Sequence, residues 1–216
     1  MAQVTVEDVE AAGLADWRLL GSGLHARFAA DGMTAGAAFV GAVVAAAEEA
    51  DHHPEVTLRM TSVDLSLVSH DVRRVTGRDL RLARTVSDLA AEHGLTAQPQ
   101  LLAEVELGLD TADLPAQGPV WAALLTGEAA NVDGDDVRDP RGRSPLLWFQ
   151  HTDAHETPRQ RFHLDVWVPH DLAEQRIAAA VAAGASVVDT GAAPSFTVLA
   201  DPEGNRVCVC TALGRG

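Results

Sequence analysis

Around residues 50 to 56 the hydrophobic rhythm of the chain changes, and this change limits what it can fold into more than any other feature. Upstream, "TAGAAFVGAVVAAAEEA" runs from Thr34, a good N-cap, and Phe39, Val43 and Ala46 are spaced to make one apolar helix stripe. Downstream of Pro54, Val56, Leu58 and Met60 alternate with Thr57 and Arg59, and Val63, Leu65 and Leu67 alternate with Asp64, Ser66 and Val68. A period of two marks a pair of half-buried strands. The junction between the two patterns is "EEADHHPEV", so two adjacent histidines, His52 and His53, stand where a helix hands over to a strand.

The same reading extends along the first half. "TVEDVEAAG" predicts a short helix, because Thr5 and Asp8 have capping-box spacing and Gly13 can end it. "LHARFAA" is a strand candidate, and "TGRDLRLARTVSDLAAEHG" a second long helix with Leu82, Val86 and Leu89 on one face and Gly94 as its stop. Strand parity puts His70 with Asp64 and Ser66, away from the core side chains. The helical pattern stops at Gly94 and Pro99 follows, which predicts a boundary within "GLTAQPQ" and domains at 1–97 and 101–216. In the second half, "LLAEVELGL", "PVWAALLTG" and strands including "LLWFQ" are followed by "RFHLDVWV", a helix "DLAEQRIAAAVAAG" capped by Asp171 and Gly184, and strands "FTVLA" and "RVCVC" around "DPEGN". A strand–helix–strands order repeated within about a hundred residues implies an α+β domain built by internal duplication.

Composition narrows the partners. The net charge is −15 and all 16 basic residues are arginine. Nucleic acid and acidic membranes are therefore excluded as expected partners, since phosphate recognition needs a positive surface. No apolar run approaches the length of a membrane span and the first residues are acidic, so a soluble cytoplasmic protein is expected. Cys208 and Cys210, two apart on one strand, share a face and are badly placed to bridge each other.

Histidine suits proton transfer near neutrality, with an unperturbed pKa of about 6.5. His52, His53 and His70 form a candidate cluster, and Glu48 lies four residues before His52, close enough on a helix to orient it. Spacing alone does not choose between acid–base catalysis and metal binding. Glu48, "HHP" at 52–54, His70 and Asp79, with "DW" before the first strand and "GRDLRLA" opening the last helix, resemble the signature of the pterin-4a-carbinolamine dehydratases over roughly residues 1–97. Met60 stands where that family usually has an aromatic residue beside the pterin, and the turn after His70 is altered to "DVRRVTG".

The resemblance implies an α+β fold, a sheet with helices on one face, that forms dimers or tetramers, uses no metal or other cofactor and takes a small-molecule pterin. It implies dehydration of 4a-hydroxytetrahydropterin to quinonoid dihydropterin. His52 and His70 would be the acid–base pair, His53 would hold or polarise the pterin, and Glu48, Pro54, Met60 and Asp79 would support or line the site. Asp79 has a competing role, because Thr76 and Asp79 have capping-box spacing at a helix start.

"RFHLDVWV", the helix after it and "VLADPEGNRVCVC" resemble the glyoxalase-like branch of the vicinal oxygen chelate superfamily, over roughly residues 101–213, which implies a paired βαβββ domain. Many members hold a divalent metal. Here His163 is a weak ligand candidate, whereas Cys208 takes the place often held by glutamate and Ala103 falls near the first-strand ligand, so no intact metal site is expected even with His151 and His155 nearby. Trp148, Phe149, Trp167 and Phe196 are candidates to line a pocket, though aromatics on strands more often fill a core. Two alternatives remain: a non-catalytic pterin-binding or assembly module, and a metal-dependent lyase or dioxygenase in the C-terminal domain.

Overall fold

The computed structural model describes residues 4–20, 23–102, 107–154, 164–168, 173–210 and 213. The chain divides into two units, Met1–Glu104 and Val105–Gly216. The division falls beyond Gly94 and Pro99 because the segment between them still belongs to the first sheet: β5 (Thr96–Ala97) pairs with β2 (Leu24–Ala29), and a 3-10 turn follows at Pro99–Leu101.

In the first unit Thr5 and Asp8 form the expected capping box on α1 (Val6–Ala11), and Gly13 adopts φ +69 beyond it. β1 (Trp17–Leu19), β2, β3 (Glu55–Leu58) and β4 (Ser62–Leu67) make an antiparallel sheet in the order β1-β2-β4-β3. Alternation fixes its core face: Leu24, Ala26 and Phe28 pair with Leu67, Leu65 and Val63, and all six are buried. α2 (Gly32–Ala50) and α3 (Gly77–Glu92) close that core with Phe39, Val43, Leu82 and Val86. Each large side chain so buried contributes roughly 1.5–3 kcal/mol, and Phe28 and Phe39 meet edge to face at 5.5 Å.

Three expectations for this unit change. α2 begins at Gly32 behind Asp31, not at Thr34, and its buried stripe is Gly36, Phe39, Val43 and Ala47 in place of one passing through Ala46. Gly36 faces the sheet, where an added Cβ would come within 2.6 Å of the Leu58 methyl and 3.3 Å of Val63, so a larger residue there would make the Leu58 side chain shift. With 19 residues, α2 is also long and apolar enough to cross a membrane by length and composition, contrary to the expectation that no run comes close. Its apolarity comes mainly from alanine, and its buried stripe is part of the first core. Met60, read as part of the strand alternation, lies outside β3 in the turn to β4, 70% exposed.

The second unit contains two modules of identical topology. β6 (Leu107–Thr111), α4 (Leu114–Thr126), β7 (Val132–Asp133), β8 (Asp136–Val137) and β9 (Leu147–His151) give a sheet ordered β6-β9-β8-β7. β10 (Leu164–Trp167), α5 (Ala173–Ala182), β11 (Ser186–Asp189), β12 (Phe196–Ala200) and β13 (Arg206–Cys210) give β10-β13-β12-β11. In each module the first strand runs parallel to the last and the other pairs are antiparallel, so each is a βαβββ unit. α4 begins earlier than "PVWAALLTG" suggests, because Asp113 caps it by accepting from the Ala116 N–H; Pro115 then occupies the first turn and Pro119 lies inside the helix. The first strand is described over Leu107–Thr111 and so runs past the end of "LLAEVELGL", whose residues 103–106 lie outside the described residues, as does Asp171, the expected cap of α5.

Candidate active site

The chain leaves α2 through a Schellman turn. Asp51 adopts a left-handed conformation (φ 46), its N–H donates to the Glu48 carbonyl at 3.3 Å, and the His52 N–H donates to the Ala47 carbonyl at 3.1 Å. This turn directs His52 inward, so the residue is only 6% exposed. Its Nε2 lies 2.7 Å from Asp79 Oδ1. Asp79, fully buried, stands in the first turn of α3, and its other oxygen, Oδ2, accepts from the Thr76 N–H at 2.7 Å, the Ser69 hydroxyl at 2.7 Å and the Thr76 hydroxyl at 3.2 Å. The carboxylate therefore does two jobs that the sequence set against each other: Oδ2 caps the helix while Oδ1 holds the imidazole. Because a carboxylate accepts only, Nε2 is the donor, so in the neutral ring the lone pair is on Nδ1, which is uncommitted among the described residues.

The other candidates stand at the surface. His53 Nε2 meets Glu48 Oε1 at 3.3 Å with both side chains exposed, so Glu48 orients His53 and not His52 as its spacing suggested. Pro54 is half-buried between them and β3. His70 is exposed, as parity predicted, just past the end of β4. No hydrogen bond joins it to the other two histidines among the described residues; its connection to them runs through Ser69, whose N–H donates to the Arg74 carbonyl at 3.1 Å to close the turn carrying His70. Asp71 in that turn pairs with Arg78 of α3, and the guanidinium's hydrogen bond holds the Asp71 carboxyl below its ordinary value. Ser69 was missed in the sequence, though it carried a signal: it continues the series Val63, Leu65, Leu67 and so places a hydroxyl at a core position, where a polar group needs partners.

The second unit has its own buried carboxylate. Asp201 is 4% exposed; its Oδ1 accepts from the Glu203 and Asn205 N–H groups at 3.0 and 2.8 Å, and its Oδ2 accepts from Trp121 Nε1 at 3.1 Å and the Asn205 amide at 2.8 Å. Assigning the Gln117 amide so that its oxygen faces the Glu203 N–H lets its NH2 donate to the same Oδ2 at 2.6 Å. Glu203 Oε1 reaches back to the Thr111 hydroxyl at 3.1 Å and the Ala112 N–H at 2.9 Å. The "DPEGN" turn of the second module is thereby fastened to α4 and β6 of the first. Phe149 is buried in the core, Trp148 lies on the opposite face of β9 at 36% exposure, Phe196 is half-buried, and the Trp167 side chain is outside the described residues. Ala103, His155 and His163 are outside them too, while His151 is exposed at the end of β9.

Cys208 faces Asp165 and Val198 on the neighbouring strands, and both cysteines are free of disulfides. Among the described residues no group of three or more His, Cys, Asp or Glu is placed to hold a metal ion. Two cavities, of about 360 Å³ beside Arg141 and Arg176 and about 430 Å³ beside Asp153 and Glu203, lie in this unit and include none of the candidate residues.

Comparison with known proteins gives two families. Residues 2–89 match the family described as pterin 4 alpha carbinolamine dehydratase, and residues 106–210 match the glyoxalase-like domain. A protein of Thermosynechococcus vestitus named "Putative pterin-4-alpha-carbinolamine dehydratase" is 36% identical over 85 residues, which covers 38% of this chain and 90% of that protein. One of the same name from Nocardia farcinica is 38% identical over 77 residues, covering 36% of this chain and 81% of that one. Among solved structures, a transcriptional coactivator/pterin dehydratase from Brucella melitensis is 25% identical with a TM-score of 0.39, covering 41% of this chain and 99% of that one.

Proposed function

Because the first unit belongs to the pterin 4 alpha carbinolamine dehydratase family and is followed by a glyoxalase-like domain, we propose that it dehydrates 4a-hydroxytetrahydropterins to quinonoid dihydropterin. The observation that carries this reading is the buried His52–Asp79 pair at 2.7 Å, within a turn that also presents His53 and Glu48 at the surface. The reaction removes the hydroxyl from C4a and a proton from a ring nitrogen. As the C4a–O bond breaks, an acid must protonate the leaving oxygen so that it departs as water; the nitrogen lone pair then forms the C=N bond as a base takes the nitrogen proton.

His52 suits the base, since its Nε2–H is committed to Asp79 and Nδ1 offers a lone pair. His70, exposed and free to exchange protons with water, suits the acid. His53, oriented by Glu48, holds the pterin, with Pro54 and Met60 at the margin. Every proton in this scheme moves through imidazole, so treatment with a chelator is expected to leave the rate unchanged. The test is to measure the dehydration rate of the chelator-treated full chain: His52→Ala with His70→Ala is expected to abolish the acceleration, and a wild-type rate no faster than buffer refutes the reading.

Met60 supports a second reading, a pterin-binding or assembly module without turnover. Its place in an exposed turn, 70% accessible, offers no flat aromatic wall to a bound ring. Tight pterin binding by the wild-type chain without rate acceleration is the outcome that selects it. A homodimer or homotetramer in the cytoplasm accords with either reading.

A further inference from the structure

We infer that Ser69 is a positioning residue for both histidines of the proposed acid–base pair, an inference that rests on that functional reading. The buried hydroxyls form a directed chain. Ser69 Oγ donates to Asp79 Oδ2 at 2.7 Å and lies 2.8 Å from Thr76 Oγ1, which itself accepts from the Arg78 N–H at 3.2 Å. Each hydroxyl has one hydrogen. With the Ser69 hydrogen on Asp79, the single Thr76 hydrogen is shared between Ser69 Oγ at 2.8 Å and Asp79 Oδ2 at 3.2 Å. Donors then converge on Oδ2 and leave Oδ1 as the acceptor facing His52 Nε2.

Ser69 thus fixes how the carboxylate is turned, and the carboxylate fixes which imidazole nitrogen bears hydrogen. Through its backbone the same residue closes the turn that starts at His70: its N–H donates to the Arg74 carbonyl, and its carbonyl accepts from the Val72 N–H at 3.1 Å. One residue, fully buried, therefore sets the tautomer of one ring and the anchor point of the other.

The experiment uses the full chain as wild type, Ser69→Ala and Ser69→Thr, with the ring-nitrogen chemical shifts of His52 and the kcat and KM of dehydration as readouts. The wild type is expected to hold His52 as the Nε2–H tautomer. Ser69→Ala is expected to show a mixture of tautomers and about a tenfold or greater loss in kcat at nearly constant KM, as misplacement of a reacting group costs rate more than binding; Ser69→Thr, which keeps a hydroxyl, is expected to restore both. If Ser69→Ala loses its secondary structure, Ser69→Cys, similar in shape but a weak donor, carries the same two readouts. An Nδ1–H tautomer in the wild type, or unchanged tautomer and kcat in the donor-poor variant, overturns the inference. If the wild type does not turn over, the functional reading fails, while the ring-nitrogen comparison still decides the role of Ser69.

Discussion

Asp79 and Asp201 are both buried carboxylates with both oxygens occupied, one in each unit, and they differ in what the network ends on. Around Asp201 every partner is a fixed donor: backbone N–H groups, an indole and two amides. Such a cluster holds a turn in place, with every donor spent on the carboxylate. Around Asp79 three donors occupy one oxygen, but the other meets an imidazole with a second nitrogen to spare. A satisfied buried network is ordinary protein construction. A network that ends on a titratable ring with an uncommitted atom is a candidate for chemistry.

That contrast can be broken by substitution. The largest expected effect is in the second unit: Asp201→Ala strands the Trp121, Gln117 and Asn205 donors together and is expected to cost roughly 3–5 kcal/mol in urea unfolding, at about 1–3 kcal/mol per orphaned group before relaxation. A loss below about 1 kcal/mol would mean that Asp201 is not the lock its geometry describes. Asp79→Asn is expected to do the reverse, with a small stability loss and a large one in turnover. The Thr76 and Ser69 donors demand an acceptor, so the amide oxygen turns toward them and its NH2 toward His52 Nε2, forcing the wrong tautomer and a fall in kcat of roughly 10²–10⁴. Retained kcat in a folded Asp79→Asn chain would reduce the pair to helix capping.

Smaller effects sharpen the comparison at turns. Asp51 holds a left-handed conformation beside the site, and Asp51→Gly is expected to raise stability by about 0.5–1 kcal/mol with kcat unchanged, read as an upward shift in Tm. In the second unit burial works to raise the Asp139 carboxyl, but the Arg141 and Arg143 N–H groups and the Arg141 guanidinium outweigh it and hold it below its ordinary value. The group is thus a stronger acid folded than unfolded. Its contribution is present above the unfolded pKa of about 3.9 and disappears as pH falls through the lower folded value. Asp139→Asn is expected to flatten the acid limb of the stability curve, a slope measured between pH 5 and 2.

Much of this was legible in the chain. Capping boxes at Thr5 and Thr76 declared two helices, and alternation at 56–58 and 63–67 declared two strands and their inner faces. The paired modules were visible as a repeated order of elements, yet β7 and β8, two residues each, are too short for any period to register. Met60 was misplaced because alternation carries no mark of where a strand stops; the turn before Ser62 ends it. The roles of Asp79 looked exclusive because a sequence shows one residue where the fold uses two oxygens separately. The contacts of Asp201 with Trp121 and Gln117 join residues eighty or more positions apart, a distance no local pattern spans.

The Schellman turn at the end of α2 has a mechanical consequence. Since the His52 N–H is bonded to the Ala47 carbonyl, the imidazole rides on the end of a 19-residue rod, roughly 28 Å long at 1.5 Å per residue. A rod of that length pivoting at its far end by about 3° carries its tip through about 1.5 Å, more than the misplacement that costs a reaction about 10²-fold. The aim of the imidazole therefore rests on how firmly Phe39, Val43 and Ala47 seat this rod on the core.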